Sequence, residues 1–312
     1  MALKVITLVG GVGGAKLAYG LAQILPPEDV TFIVNTGDDF WHYGLRICPE
    51  LDTILYTLAG VVDPVNGWGV AGDTTQTLDT LRRYGDEAWF RLGDRDLALH
   101  LLRTGWLREG IRLTEVTARL AARFGVRQRL LPMTDAPVAT RVDTLEYGEL
   151  DFQTYFVRYR WQPTVRGLRL EGIEAATMTP EVEAAIRQAD VILIGPSNPW
   201  LSIDPILAVP GLRRLIEARP VPKVAITPIV EGQAVKGPAA KLMIELGYGA
   251  SLGAVSRYSG ALVNGFVCDM VDGVDGVVQP HAAAFETIMK SDNHKIDLAK
   301  TVLEWIQSWA SG

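Results

Sequence analysis

Apolar residues recur along this chain with two periods, and the switching between them lays out an α/β plan. Residues 4–9 form a short apolar run with β-branched members. Residues 15–25 then carry Leu17, Leu21 and Leu25 at helical spacing with good helix formers between them, and residues 30–34 return to a strand pattern. Strand, glycine turn, helix and parallel strand together predict a right-handed βαβ unit. The theme repeats later. Thr179-Pro180 opens a helix with an N-cap and a first-turn proline, and the fully apolar Val191-Ile192-Leu193-Ile194 that follows reads as a strand covered on both faces. Residues 223–226 and 266–270 read the same way.

From about Asp39 to Arg160 the texture differs. Helical spacing appears near residues 51–58, 74–83, 94–102 and 113–124, followed by a strand-like pair at 138–144 and 149–156. The predicted fold is α/β, with a Rossmann-like parallel-sheet core in residues 1–39 and 161–312. A mainly helical subdomain spans 40–160, inserted after the second strand.

Composition narrows the class. The chain has 312 residues, 48% hydrophobic and 21% charged, values of a packed globular protein. No apolar run approaches the roughly 20 residues that span a bilayer, and the opening residues lack a signal-peptide pattern. A cytoplasmic protein without membrane association is therefore expected. Cys48 and Cys268 match no metal or redox spacing and read as reduced thiols. A net charge of −6 argues against a nucleic-acid partner and requires any bound phosphate to be held by local devices, namely backbone amides, placed cations or a divalent metal.

The candidate chemistry lies at predicted strand ends. Gly10-Gly11-Val12-Gly13-Gly14-Ala15-Lys16 sits between a strand and a helix start, where free amides and the helix dipole favour an anion. It fits neither standard phosphate motif. A Walker loop from Gly10 would need Gly at Ala15 and a hydroxyl at Leu17, and a dinucleotide fingerprint on Gly11 and Gly13 would need a small residue at Lys16. A bland βα turn needs fewer glycines than four in five positions, so Gly11, Gly13, Gly14 and Lys16 are read as phosphate-binding. The second strand ends in Asn35-Thr36-Gly37-Asp38-Asp39. Adjacent carboxylates there suggest a magnesium ion shared with ligand phosphate; the alternative is a capping Asp in a solvated turn. Gly195-Pro196-Ser197-Asn198-Pro199 follows the buried strand, with Gly195, Ser197 and Asn198 as phosphate candidates. Thr227-Pro228 and Lys236-Gly237-Pro238 add further loops on the same edge, as an elongated nucleoside diphosphate would require. Within the insertion Glu50-Leu51-Asp52-Thr53 and Arg91-Leu92-Gly93-Asp94-Arg95-Asp96 stand out, although alternating charges at a helix start more often form a solvated, capped face. His100 reads as an ordinary core or surface histidine, and His42, His281 and His294 offer no zinc spacing.

These tracts, together with Leu51-Asp52-Thr53-Ile54-Leu55-Tyr56, Leu131-Pro132-Met133-Thr134-Asp135 and Lys236-Gly237-Pro238-Ala239-Ala240-Lys241, resemble the 2-phospho-L-lactate transferase family (CofD, FbiA in actinobacteria) over nearly the whole chain. That family acts in coenzyme F(420) biosynthesis. The resemblance implies that the ribityl hydroxyl of the deazaflavin Fo attacks the phosphorus carrying a small acid on a guanosine-diphosphate-linked donor. GMP leaves, and magnesium is required. It places Asp52 and Arg91 against Fo and the two glycine-containing loops on the nucleotide phosphates. Asp52 would then orient or deprotonate the attacking hydroxyl. A homodimer is the expected assembly. Val12 and Arg91 stand where archaeal relatives often have Thr and Lys, and the second exchange keeps the charge. The donor's acid, phospholactate, phosphoenolpyruvate or phosphoglycerate, stays open. A more distant resemblance in the glycine loop and the Gly-Asp-Asp tract is to YvcK-like nucleotide-sugar-binding regulators. An NAD-dependent oxidoreductase is disfavoured by Lys16 and by Asn35 and Thr36 at the second strand's end, where a ribose-binding acid would stand.

Overall fold

A computed structural model describes residues 3–234 and 237–310; Lys236, one of the residues in the expected loop clusters, lies outside them. Seven parallel strands form the central sheet: β1 (Val5–Val9), β2 (Val30–Val34), β3 (Arg129–Pro132), β4 (Val191–Ile194), β5 (Lys223–Ile226), β6 (Gly265–Asp269) and β7 (His281–Phe285). Their order across the sheet is β7-β6-β5-β4-β1-β2-β3, the Rossmann-like α/β core that the apolar runs predict. Strands β1, β2, β4 and β5 are buried along their whole length because helices cover both faces. Val5 and Val9 face one core layer, with helix α1 (Gly11–Ile24) and the C-terminal helix Asp292–Ala310, while Ile6 and Leu8 face the other.

The strand order puts the site in place. The chain runs from β1 outward to β2 and β3, then returns to β4 on the other side of β1 and proceeds outward again. The sheet order therefore reverses direction between β1 and β4, and the carboxyl ends of these two strands are where an open α/β sheet takes its ligand.

Residues 40–160 do not form one contiguous unit. Between β2 and β3 lie α2 (Pro49–Leu58), α3 (Gln76–Arg83), α4 (Asp94–Arg108) and α5 (Leu113–Arg123), a helical crossover. Strand β3 then returns to the main sheet as its edge, paired with β2. Proline is tolerated at this edge, and the short Leu130-Leu131 run carries too little periodicity to mark a strand. Beyond it, Ala139–Thr144 pairs with Gly148–Asp151 and also with Val165–Glu171, so this antiparallel sheet extends past residue 160. A second difference concerns the glycine run. Instead of a turn preceding a helix at Ala15, the glycines are themselves the first turn of α1. Among the described residues no helix is long and apolar enough to cross a membrane.

Candidate active site

The crevice walls are held together by glycine. The Gly10 amide donates to Ser197 Oγ at 3.1 Å, and the Ser197 hydroxyl donates to Gly10 O at 2.8 Å. A Cβ on Gly13 would run into Pro196 O, and one on Gly14 would lie 2.8 Å from Ser197 Oγ. The α1 N-terminus thus packs backbone to backbone against the 195–198 loop, which only residues without side chains permit. No N-cap side chain closes α1 and its own first turn carries no acid, but the buried Glu50 carboxylate of α2 accepts from the Gly11 amide, so an anion at this helix end would share it with Glu50. Of the phosphate candidates, Ser197 bridges the two loops. Asn198 caps its own turn, its Oδ1 accepting from Trp200 N at 3.0 Å and Leu201 N at 3.1 Å. Lys16 donates to Met289 O at 2.7 Å.

Asp38 and Asp39 are not in a solvated turn. Both are buried, and α2 brings Glu50, also buried, beside them. Glu50 lies against the first turn of α1, where a Cβ on Gly10 or Gly11 would meet its carboxylate, and it accepts from Ser202 Oγ at 2.7 Å. Asn35 sets the loop: its Oδ1 accepts from Gly37 N at 2.7 Å, and its Nδ2 donates to Leu201 O at 3.1 Å. Burial, then the charges of Glu50 and Asp39, pushes Asp38 well above the usual carboxylate range. Glu50 is pushed up to about 7 by burial against the opposing Ser202 hydrogen bond. Asp39 is pushed up to about 6 by burial, offset by Arg46 at 3.3 Å. Asp38 Oδ1, Asp39 Oδ1 and Glu50 Oε2 are buried with no hydrogen-bond partner among the described residues. The orphaned oxygens of Asp38, Asp39 and Glu50 beside the start of α1 suit a magnesium ion that takes one or two carboxylates and completes its shell from phosphate, although among the described residues only Asp52, Asp96 and His100 bring three ligand atoms within 4.8 Å of one another.

This cluster has a pH signature. Because Glu50 and Asp39 titrate higher in the folded chain than their ordinary 4.5 and 3.8, the native state holds protons that the unfolded chain has released. Their stabilising contribution is complete below about pH 4 and is lost as pH rises through about 6 to 7. Ligand-free protein should therefore melt lower at pH 8 than at pH 5.5, by a difference on the order of 1–3 kcal/mol. Glu50→Gln should flatten the dependence. A slope unchanged in Glu50→Gln and in Asp39→Asn would place its source elsewhere.

A second polar cluster lies between α2 and α4. Arg103 grips Asp52 with both terminal nitrogens, Nη1 at 3.0 Å from Oδ2 and Nη2 against Oδ1. His100 Nδ1 stands 3.7 Å from Asp52 Oδ2, and its Nε2 stands 3.3 Å from Asp96 Oδ1, which also accepts from Tyr56 Oη at 2.5 Å. Asp52, Asp96 and His100 offer three ligand atoms within 4.8 Å of one another, but the Arg103 guanidinium already neutralises Asp52, which makes this the poorer cation site. Asp94 is a cap, accepting from Gln76 N and Thr77 N. Arg91 is exposed, with its guanidinium 5.9 Å from the centroid of the Trp68 ring. Among the described residues it makes no contact with Asp52. Arg103, Arg46 and Ser202 were not singled out by the sequence pattern, and Glu50 only as part of a charged tract. The one available signal was the i, i+4, i+7 spacing of Asp96, His100 and Arg103, which puts all three on one face of α4.

Residues 5–306 match the family described as 2-phospho-L-lactate transferase CofD. The chain is 39% identical over 303 residues to a 2-phospho-L-lactate transferase of Methanosarcina mazei, covering 96% of this chain and 99% of that one. It is 42% identical over 287 residues to a phosphoenolpyruvate transferase of Streptomyces griseus, covering 90% of each. A solved structure of a UPF0052-family protein from Bacillus halodurans superposes with a TM-score of 0.58 at 19% identity, over 96% of this chain and 90% of that one, a likeness of fold alone.

Proposed function

The chain belongs to the 2-phospho-L-lactate transferase family CofD, and from that premise we propose that it transfers a phospho-acid group from a guanosine-diphosphate-linked donor to the deazaflavin Fo in coenzyme F(420) biosynthesis. The observation that carries the reading is the pairing of a glycine helix start with three buried, partly unpartnered carboxylates at the carboxyl ends of β1 and β2, beside β4. The donor's diphosphate lies against the opening amides of α1 and the 195–198 loop. Asp38, Asp39 and Glu50 hold the magnesium, which supplies charge neutralisation at the phosphates when bound. The ribityl oxygen of Fo forms a new bond to the phosphorus that carries the acid, the bond to the GMP oxygen breaks, and the hydroxyl proton passes to the Asp52 carboxylate. Such in-line substitution asks the protein for positioning and electrostatics, not for a covalent intermediate. Asp52 orients the hydroxyl and Arg91 contacts the flat ring, as the family resemblance implies. Relatives named for phospholactate and for phosphoenolpyruvate stand at similar identity, so the acid is assigned by trial of each donor.

Ligand-dependent melting tests the binding half of this reading. GDP with magnesium should raise the melting free energy by about 2.7 kcal/mol at a hundredfold excess over Kd, and Fo should add to it. UDP-sugars and NAD should leave the protein unchanged. Stabilisation by a UDP-sugar and not by GDP would replace the transferase reading with that of a nucleotide-sugar-binding regulator.

A further inference from the structure

We propose that Arg103 is the positioning residue of the acceptor side, fixing the Asp52 carboxylate so that it meets the incoming hydroxyl as an oriented hydrogen-bond acceptor. This rests on the reading above, in which Fo binds at Asp52. The geometry is that of a two-pronged clamp. Arg103 projects from α4 and is buried, as is Asp52 on α2. Its two terminal nitrogens each engage one carboxylate oxygen, and Nη1 also lies 3.2 Å from His100 Nδ1 and 3.4 Å from Arg46 O. A planar guanidinium bound at two points fixes both the place and the rotation of the carboxylate, which a lysine ammonium cannot do.

Each oxygen of an ionised carboxylate has two lone-pair directions, so the clamp leaves one per oxygen for a substrate hydroxyl. The clamp is itself braced. His100 Nδ1 packs against Arg103 Nη1 at 3.2 Å with its ring between Asp52 and Asp96, and Asp96 takes the Tyr56 hydroxyl, so the set spans one turn of α2 and two of α4. A buried ion pair contributes little net stability over an apolar pair of the same shape. What these five side chains supply is a fixed direction for Asp52.

The experiment compares wild type with Arg103→Lys, Arg103→Met and the neutral pair Asp52→Asn/Arg103→Met, each checked for folding by near-UV circular dichroism. Steady-state rates are measured against Fo with saturating donor, and GDP–magnesium affinity is measured by calorimetry. Arg103→Lys and Arg103→Met should lose about 10²-fold in kcat/KM for Fo, the scale of a displaced positioning group. GDP–magnesium affinity should fall by less than about tenfold, since Arg103 reaches the carboxylate cluster only through its field on Asp39 and its contact with Arg46 O. The neutral pair should recover stability but not turnover. Guanidinium added to Arg103→Ala should restore part of the rate, which a merely structural role would not show. Wild-type kcat/KM for Fo in folded Arg103→Lys or in the neutral pair would overturn the inference and leave the transferase reading standing. A wild-type protein that never releases GMP would remove both.

Discussion

Replacing Asp52 by Asn should lower turnover by roughly 10²-fold or more and destabilise the fold by about 3–5 kcal/mol. The turnover loss follows because an amide offers one acceptor oxygen and turns its NH2 toward Arg103, which destroys the two-point clamp. The stability loss follows because a buried guanidinium is left without its counter-charge. From the sequence alone, Asp52 is also a capping candidate for a helix beginning near Thr53, a role in which Asn would be silent. The structure removes that alternative: α2 starts at Pro49 and its N-cap is Cys48, which places Asp52 one turn inside. Urea denaturation and GMP release with Fo check the two halves separately. An Asp52→Asn protein of wild-type stability would mean that the pairing with Arg103 does not hold in solution.

Gly13→Val is expected to raise the Kd for GDP by at least about 10²-fold, close to 2.7 kcal/mol. A Cβ there meets Pro196 O, so the α1 N-terminus and the 195–198 loop must separate, and the Gly10–Ser197 hydrogen bonds go with them. Overpacking of this kind costs about 1–3 kcal/mol of stability, which leaves a folded protein to titrate. Calorimetry with GDP and magnesium reads the result. Unchanged affinity in a folded Gly13→Val protein would return these glycines to a purely architectural role.

The sheet was legible because its inner strands are nearly continuous apolar runs, the pattern of strands covered on both faces. The glycine run was legible as a phosphate cradle but not as a helical turn, since glycine carries neither helix propensity nor apolar periodicity. Strand β3 was hidden inside a stretch of helical spacing because four residues ending in proline make a weak signal. At the site, Asp38 and Asp39 announced themselves by adjacency at a strand end. Glu50 and Arg103 did not, because their meaning lies in partners far along the chain: Ser202 for Glu50 and Asp52 for Arg103. A buried charge on an amphipathic helix looks, in sequence, like any exposed one, and tertiary pairing decides which it is.

The reaction proposed for this crevice is a transfer between a guanosine-diphosphate-linked acid and Fo. Its most direct test incubates the purified chain with magnesium, Fo and, in turn, the phospholactyl, enolpyruvyl and phosphoglyceryl donors, and follows GMP and the Fo adduct by chromatography with mass detection. Stoichiometric GMP and phosphodiester product are expected from at least one donor, dependent on both Fo and magnesium. With all three donors bound, no GMP, or GMP released without any Fo adduct, would contradict it.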